Sequence, residues 1–299
     1  MRIALSGRSL GLLLFTLALA ALGGALFLQA PPAERTSPGA GPRFDLRAAP
    51  ERATLAALRR TLAAGVTTLR LDVRRGPGGT PVLRGDRAVD DAPTLAQALA
   101  LTERRSGGRL HYAVAVGVRP DDGTAPSEIA AAVLQAVRGA GVAARTTIRA
   151  LDWRVLAHVR TQAPEVGRTY ATAERDRLDT VQRGQDGASP WLDGLDVDAY
   201  GASVPRTIAA AETPAGGTYA APPPWRVVWS PYVRDLRPAD LRRAHALGLK
   251  VVPWGVADRA TMDALLADGV DGLVTPYPAR ARAAMQARGL SVPPQVQAD

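Results

Sequence analysis

A closed (β/α)8 barrel over residues 43–290, preceded by an N-terminal transmembrane or signal segment, is the fold class the sequence predicts. Two observations carry the barrel. Eight short β-rich runs alternate with stretches whose apolar residues recur at spacings of three and four, and no change of composition divides them. The alternating region is also close to the roughly 250 residues that one such barrel occupies. A doubly wound parallel sheet is the structural alternative.

The elements follow in order. Arg2 and Arg8 precede an apolar run from Leu10 to Leu28, longer than the core of a cleavable signal and about the length that spans a bilayer. Ala30 suits the last position before a cut, but Leu28 does not suit the third, and Pro31 would follow it. Residues 1–30 therefore read as an uncleaved anchor in preference to a signal peptide. Flanking arginines stay cytoplasmic, so the body lies on the outer, periplasmic side of a bacterial membrane, or is secreted if the segment is cleaved. Residues 31–42, rich in Pro, Gly, Ser and Thr, form a flexible linker, and 291–299 a tail. Strands are expected at 43–46, 67–73, 110–118, 146–151, 168–173, 226–230, 250–256 and 272–275. Leu55, Leu58 and Leu62 mark one helix, Ile129, Val133 and Val137 another, and Met262, Leu265 and Leu266 a third. Gly65, Gly139, Gly248 and Gly269 are placed to close helices in a left-handed cap. The stretch 174–220 is long for a connection. It contains Trp191 and a small helix near 203–212, and reads as a lid or decorated loop.

Composition excludes several chemistries. There is no cysteine, so no disulfide, thiolate metal site or thiol nucleophile is available. The formal net charge is +9, and Lys250 is the only lysine, so the excess is arginine. The arginines are spread along the chain and no nucleic-acid module is present, so no nucleic-acid partner is expected. An Arg-rich coding bias is the plain account of the charge, and attraction to anionic lipid or phosphate the sharper one.

The C-terminal third carries the most specific motifs. The runs Gly248-Leu-Lys-Val-Val-Pro-Trp254-Gly-Val-Ala-Asp258 and Gly269-Val-Asp-Gly-Leu-Val-Thr275-Pro-Tyr-Pro278 resemble the seventh and eighth strands of the glycerophosphodiester phosphodiesterase family. Leu71-Asp72-Val73, Pro93-Thr-Leu, Leu151-Asp-Trp-Arg and Trp229-Ser-Pro-Tyr continue the likeness across residues 43–290. The resemblance implies hydrolysis of glycerophosphodiesters, with carboxylates holding a divalent metal and two histidines exchanging protons.

Position by position, those groups are missing. The segment expected to hold the family's His-Arg-Gly runs from Phe44-Asp45-Leu46-Arg47 straight into Ala48-Ala49-Pro50-Glu51. The family's Glu-Leu-Asp is here Arg70-Leu71-Asp72, and its second histidine falls at Gly85, before Asp86. Its Glu-x-Lys aligns with Ala115-Val116-Gly117, and its Gln-Ser-Phe-Asp with Arg149-Ala150-Leu151-Asp152. The histidines that do exist, His111, His158 and His245, lie where packing or surface roles are usual. Asp72 is the only retained family ligand, so no metal cofactor is expected.

Strand alternation puts Arg70 and Asp72 on one face, as it does Ala113, Ala115 and Gly117. Arg70 is expected to fill the space freed at Ala115 and Gly117 and to pair with Asp72. Arg149, with Arg84 on a loop above, would complete a metal-free cationic pocket, and Trp254 and Trp229 would supply apolar walls. Two accounts stay open. Either arginine is simply tolerated at an abandoned mouth, which is the account the sequence favours, or the pocket binds a phosphate or phospholipid-derived headgroup. The functional class follows: a non-catalytic, membrane-anchored barrel with an anionic small-molecule ligand or an envelope protein partner. The alternative is an active phosphoric diester hydrolase of lipid metabolism with a rearranged site, using Asp72, Asp86 and Glu51 and a metal such as Mg²⁺ or Ca²⁺.

Overall fold

The computed structural model describes residues 44–84, 92–121, 123–175 and 178–295. The expected anchor and linker, the first expected strand residue at position 43, and Asp86 lie outside the described residues. Among those described, no helix is long and apolar enough to cross a membrane.

Eight parallel strands are arranged as a barrel: β1 (Asp45–Ala48), β2 (Thr68–Arg75), β4 (His111–Val116), β5 (Thr146–Ala150), β6 (Gly167–Thr172), β9 (Val227–Pro231), β10 (Lys250–Val251) and β11 (Gly272–Val274). Each neighbours the next in chain order, and β1 pairs with β11. β10 is short because Pro253 offers no N–H to a ladder. Single bonds nevertheless bring the two ends of the sheet together, from Asp271 N–H to Val251 O (2.9 Å) and from Val274 N–H to Pro253 O (2.9 Å). The parallel barrel expected from the alternation of elements is therefore present, and the strand positions fall within a few residues of those expected.

One helix follows each barrel strand among the described residues: α1 (Leu55–Ala63), α2 (Leu95–Ser106), α3 (Pro126–Gly139), α4 (Trp153–Gln162), α5 (Val204–Glu212), α6 (Pro238–Ala246), α7 (Arg259–Asp268) and α8 (Pro278–Ala287). Their starts are written in the sequence. Thr54, Thr94, Asp152 and Asp258 each accept a backbone N–H of the first turn through the side chain. The apolar stripes then pack on the outer face of the barrel, where Leu69, Leu71, Val73, Val114, Val116 and Ile148 are fully or almost fully buried. Two helix expectations need correcting. Leu55 belongs to the predicted stripe yet is 37% exposed, because it is the first residue of α1 and lies outside the packed turn. Gly139 is an ordinary last residue of α3, and the left-handed position falls two residues later at Gly141 (φ +69°).

The inside of the barrel is small and mixed. Val228, Val252 and Val274 form a separate apolar cluster there. Beside it, Arg47 of β1 donates Nε to Asp45 (2.6 Å) and reaches Thr169 on β6 with Nη1 (3.2 Å). Arg47 and Asp45 are 1% and 2% exposed, so the pair is a fully buried strut across the floor.

Two additions interrupt the repeat. β3 (Pro81–Leu83) folds back antiparallel on the extended end of β2. After β6, β7 (Glu174–Arg175) and β8 (Leu178–Asp179) make a two-stranded ribbon, followed by a turn at Pro190–Leu192 and then α5. The long connection is thus a structured cap on the C-terminal end of the barrel. It is tied to the barrel wall by Glu212, which accepts from Nε and Nη2 of Arg168 (2.7 Å each) and from the hydroxyl of Tyr170.

Candidate functional site

A cavity of about 710 Å³ opens at the C-terminal end of the barrel. Strand parity builds it. β2 presents Asp72 and Arg74 to the mouth while Val73 between them is buried in the outer core. In register across the sheet, Asp72 lies beside Ala115, and Ala115 beside Arg149. Small side chains on β4 leave the room that the neighbouring arginines occupy. The β2–β3 hairpin brings Arg84 over this space. A methyl group at Gly117 would sit 3.0 Å from Arg84 Nη1, so the absence of a side chain there lets the guanidinium lie close.

Arg70 and Asp72 pair as expected. Arg70 donates Nε (3.0 Å) and Nη2 (2.6 Å) to the same oxygen, Asp72 Oδ1. Arg149 differs. It is 6% exposed, its Nε has no hydrogen-bond partner among the described residues, and no acidic side chain there forms an ion pair with it. Its guanidinium instead rests on Trp254, 5.4 Å from the ring centroid. Burial, then the charge of Arg70, pushes its pKa down to about 9, against a weaker opposing pull from Asp72. A charge in that position is poorly solvated and short of an acceptor, which is the condition an incoming anion relieves.

The structure gathers Arg70, Arg84 and Arg149 around one cavity, and separates the other candidates from it. Trp254 touches Arg149 but does not line the cavity, and its indole N–H goes to Thr172 O (3.2 Å). Trp229 is not a wall of the pocket. It faces outward from β9, is 1% exposed in the outer core, and donates to Thr172 Oγ1 (3.1 Å). Glu51 is exposed and borders a different recess, of about 180 Å³, with Arg60, Pro276 and Pro278. The carboxylates Asp72 and Glu51 are therefore not brought together.

The histidines lie elsewhere. His111 is at the N-terminal end of the barrel near Asp45, Arg145 and Arg47, and burial lowers its pKa. His245 meets Asp271 Oδ2 (2.9 Å), and His158 is half-buried on α4.

A divalent metal does not fit the described mouth. The cavity is lined by five arginines, Arg70, Arg74, Arg84, Arg119 and Arg149, against one carboxylate, and Arg70 already engages that carboxylate. A hard cation requires several anionic or carbonyl oxygens and no adjacent guanidinium. Among the described residues no group of three His, Asp or Glu side chains is placed to hold a metal.

Several lining residues were not assigned to the mouth from the sequence, Arg74, Arg119, Leu178 and Trp191 among them. Arg74 was discoverable, since it is two residues beyond Asp72 on the same strand. Arg119 comes from a loop, Leu178 from the two-residue strand β8 and Trp191 from the turn at Pro190–Leu192, all too short to show periodicity. Arg119 bonds Asp121 (3.3 Å) and lies over the Trp191 ring at 5.7 Å, joining the β4 loop to the cap.

Comparison with known proteins agrees with this architecture. The barrel superposes on a Silicibacter pomeroyi protein named as a glycerophosphoryl diester phosphodiesterase with a TM-score of 0.64 and 24% identity, covering 85% of this chain and 97% of that one. A glycerophosphodiester phosphodiesterase from Parabacteroides distasonis gives 0.58 at 14% identity, covering 83% of this chain and all of that one. A phosphodiesterase from Oleispira antarctica, solved with its product sn-glycerol-3-phosphate, gives 0.55 at 14%, covering 81% and 97%. At such identities the likeness shows the fold. No curated protein matches the sequence. The sequence profile described as the glycerophosphoryl diester phosphodiesterase family matches residues 89–280, most of the chain, and the protein therefore belongs to that family.

Proposed function

We propose that this protein is a non-catalytic member of the family that holds a phosphate or phospholipid-derived headgroup without a metal. Arg149 supplies the inner grip, with Arg70 beside it and Arg84 at the rim above. Residues 10–28 tether the barrel on the outer side of the membrane. One observation carries the reading: Arg149 is a buried cation at the mouth whose Nε has no partner among the described residues. Such a group is costly without an anion and gains a bidentate, charge-assisted contact with one. General acid/base groups are each worth about 10²–10⁴ in rate, and the family's two histidines are absent from the aligned positions.

The test combines binding and turnover on the full chain. Inorganic phosphate is titrated calorimetrically in EDTA against the wild type and Arg149→Met. Glycerophosphodiesters and bis-p-nitrophenyl phosphate are offered with Mg²⁺, Ca²⁺ or EDTA. Binding that falls at least about tenfold in the variant, with no turnover above blank, is the expected result. Metal-dependent turnover that Asp72→Ala abolishes would instead establish the rearranged hydrolase.

A further inference from the structure

Resting on the phosphate-binding reading above, we infer that the ligand carries two phosphoryl groups joined as a diphosphate, one at the base of the mouth and one at its rim. Four of the five arginines of the cavity fall into two tiers, and the fifth, Arg119, already bonds Asp121. At the base are Arg149, buried and without an acidic partner among the described residues, and Arg70, already joined to Asp72. At the rim are Arg74, on the mouth face of β2 two residues beyond Asp72, and Arg84, whose guanidinium lies against Gly117. Both rim arginines are exposed, and neither has an acidic partner among the described residues.

Charge decides how much anion the site takes. A single phosphate ester carries up to about two negative charges near neutral pH. Seated on Arg149 and Arg70, it satisfies the base and leaves Arg74 and Arg84 above it unmatched. A second phosphoryl group, bridged to the first, extends outward along the same wall to meet them. The cavity, at about 710 Å³, has room well beyond one phosphate. Leu151, Leu178 and Trp191 add apolar lining that suits the carbon portion of a diphosphate ester. Arginine from two directions, in a cleft whose walls focus the field, selects for charge density as well as for geometry.

Calorimetric titration of the full chain with inorganic phosphate and with inorganic pyrophosphate, both in EDTA, tests this. Pyrophosphate is expected to bind at least about tenfold more tightly than phosphate. Arg74→Ala, an exposed position whose loss leaves the thermal midpoint unchanged, should remove most of that advantage while leaving phosphate affinity within about twofold. Arg149→Met should weaken both ligands. If phosphate binds through Arg149 but pyrophosphate binds no better, or keeps its advantage in Arg74→Ala and in Arg84→Ala, the diphosphate inference fails and the anion-binding reading stands. If neither ligand binds, both fail.

Discussion

Replacing Arg149 by methionine should make the ligand-free protein more stable. Methionine keeps much of the side-chain length but removes a buried charge. With the guanidinium pushed down to about 9 by burial and by Arg70, its proton affinity lies roughly three orders of magnitude below that of a free arginine. The corresponding cost at pH 7 has an upper bound of roughly 4 kcal/mol. The contact with Trp254 at 5.4 Å returns about 1–2 kcal/mol of this, leaving a net cost of about 2–3 kcal/mol. That agrees with the gain of about 1–4 kcal/mol typical when buried ions are exchanged for apolar groups of similar size.

In a barrel of this length the gain amounts to about 4–10 °C in thermal midpoint. The assay is thermal unfolding in buffer free of phosphate and sulfate. pH dependence gives the sign. Below pH 9 Arg149 is charged in both folded and unfolded states, so its cost is fully present. Above pH 9 the folded protein sheds the proton first, wild-type stability recovers, and the advantage of the variant shrinks. Saturating phosphate, at about a hundred times its dissociation constant, should add about 2.7 kcal/mol to the wild type and little to the variant. An Arg149→Met protein that is less stable than wild type at pH 7 in anion-free buffer would refute the reasoning and make Arg149 a structural residue.

Three further outcomes follow from the same coordinates. Asp45→Asn strands Arg47 inside the barrel and should cost about 3–5 kcal/mol in denaturant unfolding, whereas a loss under 1 kcal/mol would mean that Thr169 alone holds the strut. Gly255→Ala places a methyl group at φ +82° and 2.6 Å from Tyr232 Cε2, so a destabilisation of about 1–3 kcal/mol is expected by calorimetry. His111, held below its ordinary pKa by burial, binds fewer protons folded than unfolded, so stability falls as pH drops below about 6.5. His111→Gln should flatten the loss of thermal midpoint between pH 7 and pH 5, and an unchanged slope would show that other groups govern it.

The barrel was legible because parallel strands covered by helices read as apolar runs, and because Thr54, Thr94, Asp152 and Asp258 announce the helices that follow them. The pairing of Arg70 with Asp72, and the gathering of Arg84 and Arg149 near them, followed from parity on β2 and from the small residues of β4. Trp229, expected as an apolar wall, lies on the other face of its strand. Which face of a strand looks inward depends on where the chain enters the barrel, and Trp-Ser-Pro holds no signal for it. On β9 the inward positions are Val228 and Ser230. Trp191, Leu178 and Arg119 were hidden for another reason, since tertiary packing of the cap places them and no local period marks them. The strut from Arg47 to Thr169 spans 122 positions, a contact that only the closed ring creates.

That strut bears on what it would take to build a metal centre at this mouth. Glutamate at positions 70 and 115 would supply the acidic pair that the family resemblance implies, and on paper would be enough. Yet Arg47 and Arg149 both act on the same interior, and the charge of Arg47 is among those felt at Arg149. A cation drawn to the new carboxylates would have to settle above a positively charged floor. Order then matters in any such redesign: Arg149 has to change before the acids go in, because the acids alone would be neutralised by the arginines already there. Each of these arginines thus adds to the number of simultaneous substitutions that would be needed to turn this mouth into a metal-binding one.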